Sequence, residues 1–529
     1  MTAFTGTRAL ARLALRLDRV RLTVWVLGLS VMPMGTAANY FKLYPTQADL
    51  EAVRGVLSNP SLVAMEGPLY GVSIGGLTAW KIGVTEFILV GLMSLLTVVR
   101  HTRTEEETGR LELLRATVIG RYAPLTAALL VTALANALIA LLTALGLMAT
   151  GLPVAGSVAF GLATGLVGLL FAGVAAAAAQ LTTSARAANG IAGAVLGGTY
   201  LLRAVGDTGP TWLSWLAPTG WGLAMRPYAH ERWWVAALFL VFAALFTAVG
   251  YALSDRRDVG AGLVPPRPGP ATGAPSLRSP LALAWRLQRG LLLGWCVALA
   301  LSGAVMGGAA SGIAGLESPS QQLTDVLDRM GGRGALTDAF LAAIYGIIGM
   351  LAAAYTIQAT LRLRQEEASG RVEALLSTPV SRIRWAAGHL VFALLGTALL
   401  LALAGVTGGL VYGAQSHDVG GQVARLLGAA MVQLPAAWVL AGLGIALLGL
   451  APRLSALTWA ALIVSVLLFE LGALFGLNQY LLDLTPFAHV PKLPGEAFTI
   501  VPVLWLTLVA VLLGAAGLAG LRRRDMPVA

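Results

Sequence analysis

Acidic residues recur in one pattern at two places in the sequence, and they are the first candidates for function. Arg103 to Arg121 reads RTEEETGRLELLRATVIGR, Arg364 to Arg382 reads RQEEASGRVEALLSTPVSR, and a single offset of 261 aligns them without a gap. Nine of the nineteen aligned positions are identical. The shared pattern, E-E-x-x-G-R-x-E, therefore marks an internal repeat at the same place in each half of the chain.

The repeated carboxylates predict a surface that binds another protein. On one helix Glu105, Gly109 and Glu112 would share a side, where the glycine lets a partner's backbone approach closely. The same helix would pair Glu106 with Arg110, but such exposed pairs contribute only roughly 0.2–0.5 kcal/mol, so stability alone does not explain the repetition. The alternative is a solvated helix at the membrane surface, and the duplication favours docking. The candidate docking residues are Glu105, Glu106, Gly109, Arg110 and Glu112, with Glu366, Glu367, Gly370, Arg371 and Glu373.

Other residue patterns argue against several kinds of active site. The sequence contains no G-x-x-x-x-G-K-[ST] motif and only three lysines, so we do not expect the chain to hydrolyse ATP by itself. Its five histidines are scattered, and its single cysteine, Cys296, lies in an apolar run, which excludes an intramolecular disulfide and a cysteine-based metal cluster. We expect no catalytic residue, no metal site and no cofactor bound by this chain.

The composition identifies the environment that must position these residues. Hydrophobic residues make up 57% of the 529 positions, charged residues only 12%, and the mean hydropathy is +0.78. No soluble core needs so much apolar surface, so the chain is predicted to cross a membrane many times. Its net charge of +11 comes from arginines between the apolar runs. These arginines report membrane topology and anionic lipid rather than nucleic acid.

Apolar runs of about 20 residues predict twelve crossings, six in each half. They lie near 22–40, 78–99, 122–150, 154–180, 187–206, 233–253, 290–312, 337–360, 386–413, 424–450, 455–476 and 499–521. An even number puts both termini on the side of the arginine-rich loops, which is then cytoplasmic. We expect an all-α polytopic membrane protein with two six-helix repeats, residues 1–255 and 281–529. The Pro/Gly-rich segment 256–280 is predicted to be a semi-flexible linker with no fold of its own.

Short amphipathic segments accompany the spans. Arginines at positions 8, 12, 16 and 19 oppose a row of leucines, which predicts a basic helix on the membrane surface. LALRLDRVRLTVW at 13–25 is echoed by LAWRLQRGLLLGW at 283–295. We therefore expect an interfacial helix before the first span of each half, and no cleaved signal peptide. The segments 212–234 and 480–498, which precede the last span of each half, predict re-entrant or interfacial helices.

Three charged residues fall inside predicted spans, where each costs roughly 2.5–3.5 kcal/mol at a helix centre. Glu86 lies in the second span, and its counterpart in the repeat is Ile347. Arg203 and Glu470 occupy equivalent positions in the fifth and eleventh spans. We hypothesise that they form an ion pair that closes the outer end of a central cavity. The equally weighted alternative is that Arg203 extends to the extracellular face and Glu470 finds a water pocket.

These residues together resemble a known family. The six-span half, the N-terminal interfacial helix, the E-E-x-x-G-R-x-E segment after the second span and the re-entrant piece before the sixth resemble the membrane subunit of type-2 ABC exporters. The doubled form, with its LAPTGW and LTPFAHVP segments, is similar to permeases that export polyketide antibiotics, the tetronasin-resistance type. The resemblance implies that the two acidic segments are coupling helices for two separate ATPase subunits, which would supply ATP and Mg²⁺. It further implies a second contact at Thr182–Arg186 and Ala451–Leu454, with Arg186 and Arg453 as candidates.

The function expected from the sequence is export of hydrophobic or amphipathic compounds, such as antibiotics or lipids, across a bacterial plasma membrane. The alternative is a proton-coupled drug transporter of the major-facilitator kind, which also has two six-span halves. The long extracellular insertions and the paired acids before Gly-Arg argue against that alternative. The identity of the substrate is not encoded in any of these patterns.

Overall fold

The computed structural model describes residues 2–525, except 58–59, 116–117, 259, 265–268, 270–271, 315–332 and 472–477. The described residues form helices and turns, with no β-strand among them. The chain divides into two compact units, Met1–Gly269 and Pro270–Ala529. The division falls inside the segment 256–280. The predicted all-α class is confirmed.

The described residues of the first unit form twelve α-helices of four or more residues, in chain order. They are α1 (Thr7–Leu17), α2 (Arg19–Leu43), α3 (Gln47–Leu57), α4 (Pro60–Glu66), α5 (Ile74–Val99), α6 (Arg110–Arg115), α7 (Ala123–Ala149), α8 (Val154–Leu181), α9 (Ala185–Thr208), α10 (Trp212–Trp215), α11 (Pro218–Ala224) and α12 (Val235–Asp255).

The second unit repeats this order with differences in the short helices. Its helices are α13 (Pro280–Ala314), α14 (Arg333–Ala368), α15 (Arg371–Leu376), α16 (Arg382–Ser416), α17 (Val419–Met431), α18 (Leu434–Leu450), α19 (Leu457–Leu471), α20 (Gln479–Leu482) and α21 (Ile500–Arg523). Single 3₁₀ turns occur at Pro452–Leu454 and Pro486–His489.

Eleven helical segments in the described part of the chain are long and apolar enough to cross a membrane. Each overlaps one of the predicted spans, so a multi-pass membrane protein is confirmed. Helix α9 overlaps the predicted fifth span but is not among the eleven, and the predicted count of twelve crossings stays a prediction. Helix α9 is less apolar because it carries Arg186, Asn189, Arg203 and Asp207.

The two halves begin differently. In the first half α1 ends at Leu17, Asp18 leaves the helical conformation, and α2 starts at Arg19. In the second half α13 runs without a break from Pro280 to Ala314. A separate helix therefore precedes the first span in the first half but not in the second, where that prediction is wrong, and the position of α1 at the membrane interface stays a prediction. The reason is local: Asp18 is buried by ion pairs to Arg100 and His101, whereas Gln288 replaces it in the echo.

Helix α8 forms the centre of the first unit because its small residues let neighbouring helices approach closely. A Cβ at Gly161 would lie 2.3 Å from Ala140 O, and one at Gly168 would lie 2.0 Å from the side chain of Asn136. These contacts fix α7 tightly against α8. The short helix α11, in the segment predicted to be re-entrant, is buried from Thr219 onward. It places Trp221 and Leu223 inside the helix bundle rather than on its surface.

Candidate functional site

The repeated acidic motif forms a sharp corner at one end of each unit, which we call the motif end. Helix α5 continues through a π-turn at Arg100–Thr104 into Glu105–Glu107, and the chain then turns at Gly109 before α6. Gly109 has φ 72° and its N–H donates to Glu106 O at 3.0 Å. A Cβ at Gly109 would meet no atom within 4 Å. The left-handed backbone, rather than lack of space, is therefore the reason for glycine.

The second copy of the motif has the same geometry. Helix α14 ends at Ala368, Gly370 has φ 69°, and its N–H donates to Glu367 O at 3.1 Å before α15 begins. The N–H of Glu373 donates to Gly370 O at 3.2 Å, as that of Glu112 does to Gly109 O. The sequence repeat is thus a structural repeat in the described residues.

The predicted single docking helix and its i, i+4 pairs are wrong in both copies. The left-handed glycine separates the acids from the helix that follows, so the spacing of one continuous helix no longer applies. Arg110 Nη1 lies 3.7 Å from Glu105 Oε1 instead of pairing with Glu106. Likewise Arg371 Nη1 lies 3.6 Å from Glu366 Oε1.

The second acid of each pair is held inside its own unit by an arginine fork, a bidentate pair of hydrogen bonds from one guanidinium. Arg257 donates to Glu106 through Nη1 at 2.9 Å and through Nη2 at 2.7 Å. Arg524 donates to Glu367 in the same way, at 2.7 and 2.8 Å. Both arginines follow the last span of their half. The fork therefore ties the motif-end terminus of the second span to that of the sixth.

The fork of the first unit also binds the turn after the fourth span. Arg257 Nε donates to Gln180 Oε1 at 2.6 Å, and Arg103 donates to Glu106 and to Thr182 O. The N–H groups of Leu263 and Val264 donate to Gln180 O at 3.1 Å and to Leu181 O at 2.8 Å. Residues 256–258 and 260–264 thus pack on the first unit, and the prediction of a semi-flexible linker stays a prediction for the rest of the segment 256–280.

The arginine at the end of each motif contacts the end of the last span of its half. Arg121 donates to Ser254 O at 2.8 Å and lies 3.3 Å from Asp255, and Arg382 donates to Arg524 O. Next to Arg121, the hydroxyl of Tyr122 donates to Asp255 at 2.5 Å. This hydrogen bond raises the pKa of Tyr122 above its ordinary value, with smaller contributions from desolvation and from the charge of Asp255. Arg121 and Arg382 thus both contact the end of the last span of their half, at different residues.

The remaining predicted docking residues face outward to different degrees. Arg110, Glu112, Arg371 and Glu373 are exposed, as are Arg186 and Arg453 on the turns after the fourth and tenth predicted spans. The side chain of Glu105 is 22% exposed and that of Glu366 9%. Glu106 and Glu367 are buried in the forks. Leu113 in α6 is 75% exposed, an apolar side chain that the acidic pattern did not single out.

A cleft adjoins each corner. In the first unit a cleft of about 420 Å³ is lined by Glu106, Leu111, Arg121, Gln180 and Arg257, among others. In the second unit a cleft of about 440 Å³ is lined by Arg364, Arg524 and the turn Ala451–Leu454. Each unit thus brings its predicted second contact beside its motif, through Thr182, whose carbonyl accepts from Arg103, in the first and Arg453 in the second.

The three intramembrane charges have separate surroundings. Arg203 is fully buried and donates to Asp207 at 2.9 Å and to the carbonyls of Ala64 and Met65 at 2.8 and 2.9 Å. Asp207 therefore supplies a counter-charge within the first unit. Glu470 lies in α19, but its side chain is outside the described residues, so the ion pair with Arg203 stays a prediction. Glu86 is fully buried, and neither carboxylate oxygen has a hydrogen-bond partner.

Three residues of the motif end were missed from the sequence. Arg257 and Arg524 each belong to an Arg-Arg-Asp triplet, 256–258 and 523–525, that follows the last span of its half. That repeated triplet was a usable signal. Glu107, by contrast, accepts a hydrogen bond from Ala185 N at 2.9 Å and so caps α9, whereas the second motif has Ala368 in its place. No sequence pattern indicated this contact, and it makes the two corners inequivalent.

Comparison with known proteins adds two findings. Residues 277–522 match the family model described as the C-terminal domain of the multidrug efflux system permease Rv1217c. The chain is 47% identical over 528 residues to the multidrug efflux system permease protein Rv1217c of Mycobacterium tuberculosis. That similarity covers 99% of this chain and 96% of the mycobacterial protein.

Proposed function

The chain belongs to the family of the mycobacterial multidrug efflux system permease, a family of ABC-type exporter permeases. On that premise we propose that the chain is the membrane subunit of an ATP-driven exporter. Its cargo is hydrophobic or amphipathic, such as an antibiotic, and moves out of the cell. ATP and Mg²⁺ are bound by separate ATPase subunits, two per chain. The membership also removes support from the major-facilitator alternative.

One observation carries this proposal: the same exposed corner is built twice. In each unit a left-handed glycine turns the chain into a six-residue helix that begins with an exposed arginine and carries an exposed glutamate. Behind it, the arginine fork holds the corner to two predicted spans. Force applied to such a helix is transmitted directly to the spans because buried, bidentate ion pairs are rigid. This arrangement is what a docking surface for a motor protein requires.

We propose a smaller set of docking residues than the acidic pattern suggested. Glu106 and Glu367 hold the corner together, so they are not available to a partner. The contact is made by Glu112 and Leu113 of α6, by Glu373 of α15, and by Arg186 and Arg453 on the adjoining turns. Leu113 corresponds to Ala374 in the second copy. In the described residues the exposed leucines of the two corners lie at different places, Leu113 on α6 in the first and Leu454 on the turn Ala451–Leu454 in the second, and we expect the two ATPase contacts to differ.

The test is co-purification of the permease with its ATPase from cells that express both. Leu113→Asp and Glu112→Lys should each reduce the recovered ATPase and the ATP-dependent efflux of a fluorescent cationic dye. Asp49→Asn, at the opposite end of the first unit, is the matched control and should change neither. Dye transport by the purified chain alone in ATPase-free vesicles, driven by a pH gradient, would overturn the proposal.

A further inference from the structure

Three buried polar side chains in the first unit have no hydrogen-bond partner. They are Glu86 on α5, Ser30 on α2 and Thr143 on α7, with exposed fractions of 0%, 3% and 0%. Both carboxylate oxygens of Glu86, Ser30 Oγ and Thr143 Oγ1 are unsatisfied. Leaving buried polar groups unpaired is costly, and several such groups in one place indicate a missing ligand.

Helix register places the three side chains at one level. Ala37, Ala79, Ile82 and Leu147 pack in one cluster, which aligns α2, α5 and α7. Ser30 lies two turns before Ala37, Glu86 two turns after Ala79, and Thr143 one turn before Leu147. Because α5 runs opposite to the other two helices, all three positions lie on the same side of that cluster. Met34 packing on Gly146, one turn further along both α2 and α7, supports this register.

The two hydroxyl groups are not used by their own helices. Buried threonines nearby donate to the carbonyl four residues earlier, as Thr97 does to Met93 O and Thr132 to Ala128 O, at 2.7 and 2.8 Å. Thr164 on α8 does the same to Phe160 O at 3.1 Å. This local bond is the usual way to satisfy a hydroxyl in a helix. Ser30 and Thr143 lack it, so their oxygens are available to something else.

The second half provides an internal comparison. With the offset of 270 for the first span and 261 for the next two, the counterparts are Ala300, Ile347 and Ala404. All three are apolar, and a hydrogen bond between helices is formed at this level instead. Thr407 Oγ1 donates to Ala300 O at 2.8 Å. The fold therefore does not need polar residues at these three positions, and their presence in the first half requires a separate reason.

We propose that Ser30, Glu86 and Thr143 form a binding site for one monovalent cation inside the first half. One carboxylate and two neutral hydroxyls offer hard oxygen donors with a single negative charge, which one monovalent cation balances. The cation is either Na⁺ or a proton carried by the carboxyl group. The described residues contain no cluster of three His, Cys, Asp or Glu, so the site does not suit a transition metal. It acts independently of ATPase docking.

Other charged groups around the site lie toward the helix ends. Helices α7, α8 and α11 contain no charged residue. Those of α2 are Arg19, Arg21 and Lys42, at its two ends, and α5 carries Lys81. Helix α9 has Arg186 near its start and Tyr200, Arg203 and Asp207 in its last part. Lys81 pairs with Glu66 of α4 at 3.1 Å, so Glu86 is the carboxyl group at this level whose oxygens have no partner.

The proposal predicts a cation-dependent stability of the purified chain. Thermal unfolding, followed by tryptophan fluorescence, is measured with Na⁺ replaced stepwise by choline at fixed pH, and then at a series of pH values without Na⁺. A Tm that rises with Na⁺ identifies Na⁺, and a Na⁺-independent pH response that requires Glu86 identifies the proton. A Tm that responds to neither would overturn the proposal.

Three variants and a control test whether the change of Tm with Na⁺ or pH comes from this site. Glu86→Gln should abolish it, because the amide carries no charge. Ser30→Ala and Thr143→Val should each weaken the apparent cation affinity about tenfold, as expected for a lost hydrogen bond to a charged group. Thr164→Val removes a buried hydroxyl that already has a partner and should leave the affinity unchanged. If Glu86→Gln does not fold, the double variant of Ser30 and Thr143 decides. A wild-type affinity in that double variant contradicts the site.

Discussion

Removing the charge of Glu106 tests whether the arginine fork holds the motif end together. The side chains of Glu106 and Arg257 are 7% and 8% exposed and share two hydrogen bonds. Breaking a buried pair by neutralising one partner costs about 3 kcal/mol, because the other charge stays buried. At 1.4 kcal/mol per factor of ten, local opening around Arg257 in Glu106→Gln should become on the order of 100-fold more frequent.

Hydrogen exchange of two amides reports this opening directly. The N–H groups of Leu263 and Val264 donate to Gln180 O and Leu181 O, beside the bond between Arg257 and Gln180. Their exchange should accelerate by about the same factor in Glu106→Gln. The variant Glu112→Gln, exposed in the same motif, is the matched control and should leave both amides unchanged.

The second unit supplies an internal reference in the same experiment. The amide of Arg524 donates to Gly520 O at 3.0 Å and should respond to Glu367→Gln but not to Glu106→Gln. Combining Glu106→Gln with Arg257→Gln should cost less than the sum of the two single variants, since both variants lose the pair between Glu106 and Arg257. Unchanged exchange at Leu263 and Val264 in Glu106→Gln, or equal acceleration at Arg524, would refute the reasoning.

Three further predictions follow from single contacts. Gly109→Ala should destabilise the first corner by about 1–2 kcal/mol, because an alanine is strained at positive φ, and should lower ATPase co-purification; Gly190→Ala in α9, where a Cβ meets nothing within 4 Å, should do neither. Burial raises the pKa of Glu66 above its ordinary 4.5, so the folded chain keeps a proton that the unfolded chain has lost. Stability should therefore fall as the pH rises through that window, and Glu66→Gln should remove the contribution of Glu66 to the pH dependence of thermal unfolding. Asp207→Asn should leave the buried guanidinium of Arg203 without its counter-charge. The local stability of α4 should fall by about 3 kcal/mol, and amide exchange in α4 should become faster. Unchanged exchange there would show that the carbonyls of α4 suffice to hold Arg203.

Much of the architecture was predictable because it is encoded locally. Apolar runs give membrane helices wherever about 20 such residues occur together, and every predicted span overlaps a helix in the structure. The internal repeat and the position of Glu86 inside a span also follow from residue order alone. The prediction failed at the start of the second half because one residue, Gln288 in place of Asp18, decides whether the helix breaks.

Which acids of the motif face a partner was decided only by tertiary structure. The sequence determined that an acidic, glycine-containing motif follows the second span in each half. Helical spacing then predicted a Glu106–Arg110 pair, but Gly109 adopts a left-handed conformation and ends the helix between them. The true partner, Arg257, lies 151 positions further along the chain. Such a contact depends on how the second and sixth spans pack, and no local periodicity encodes that.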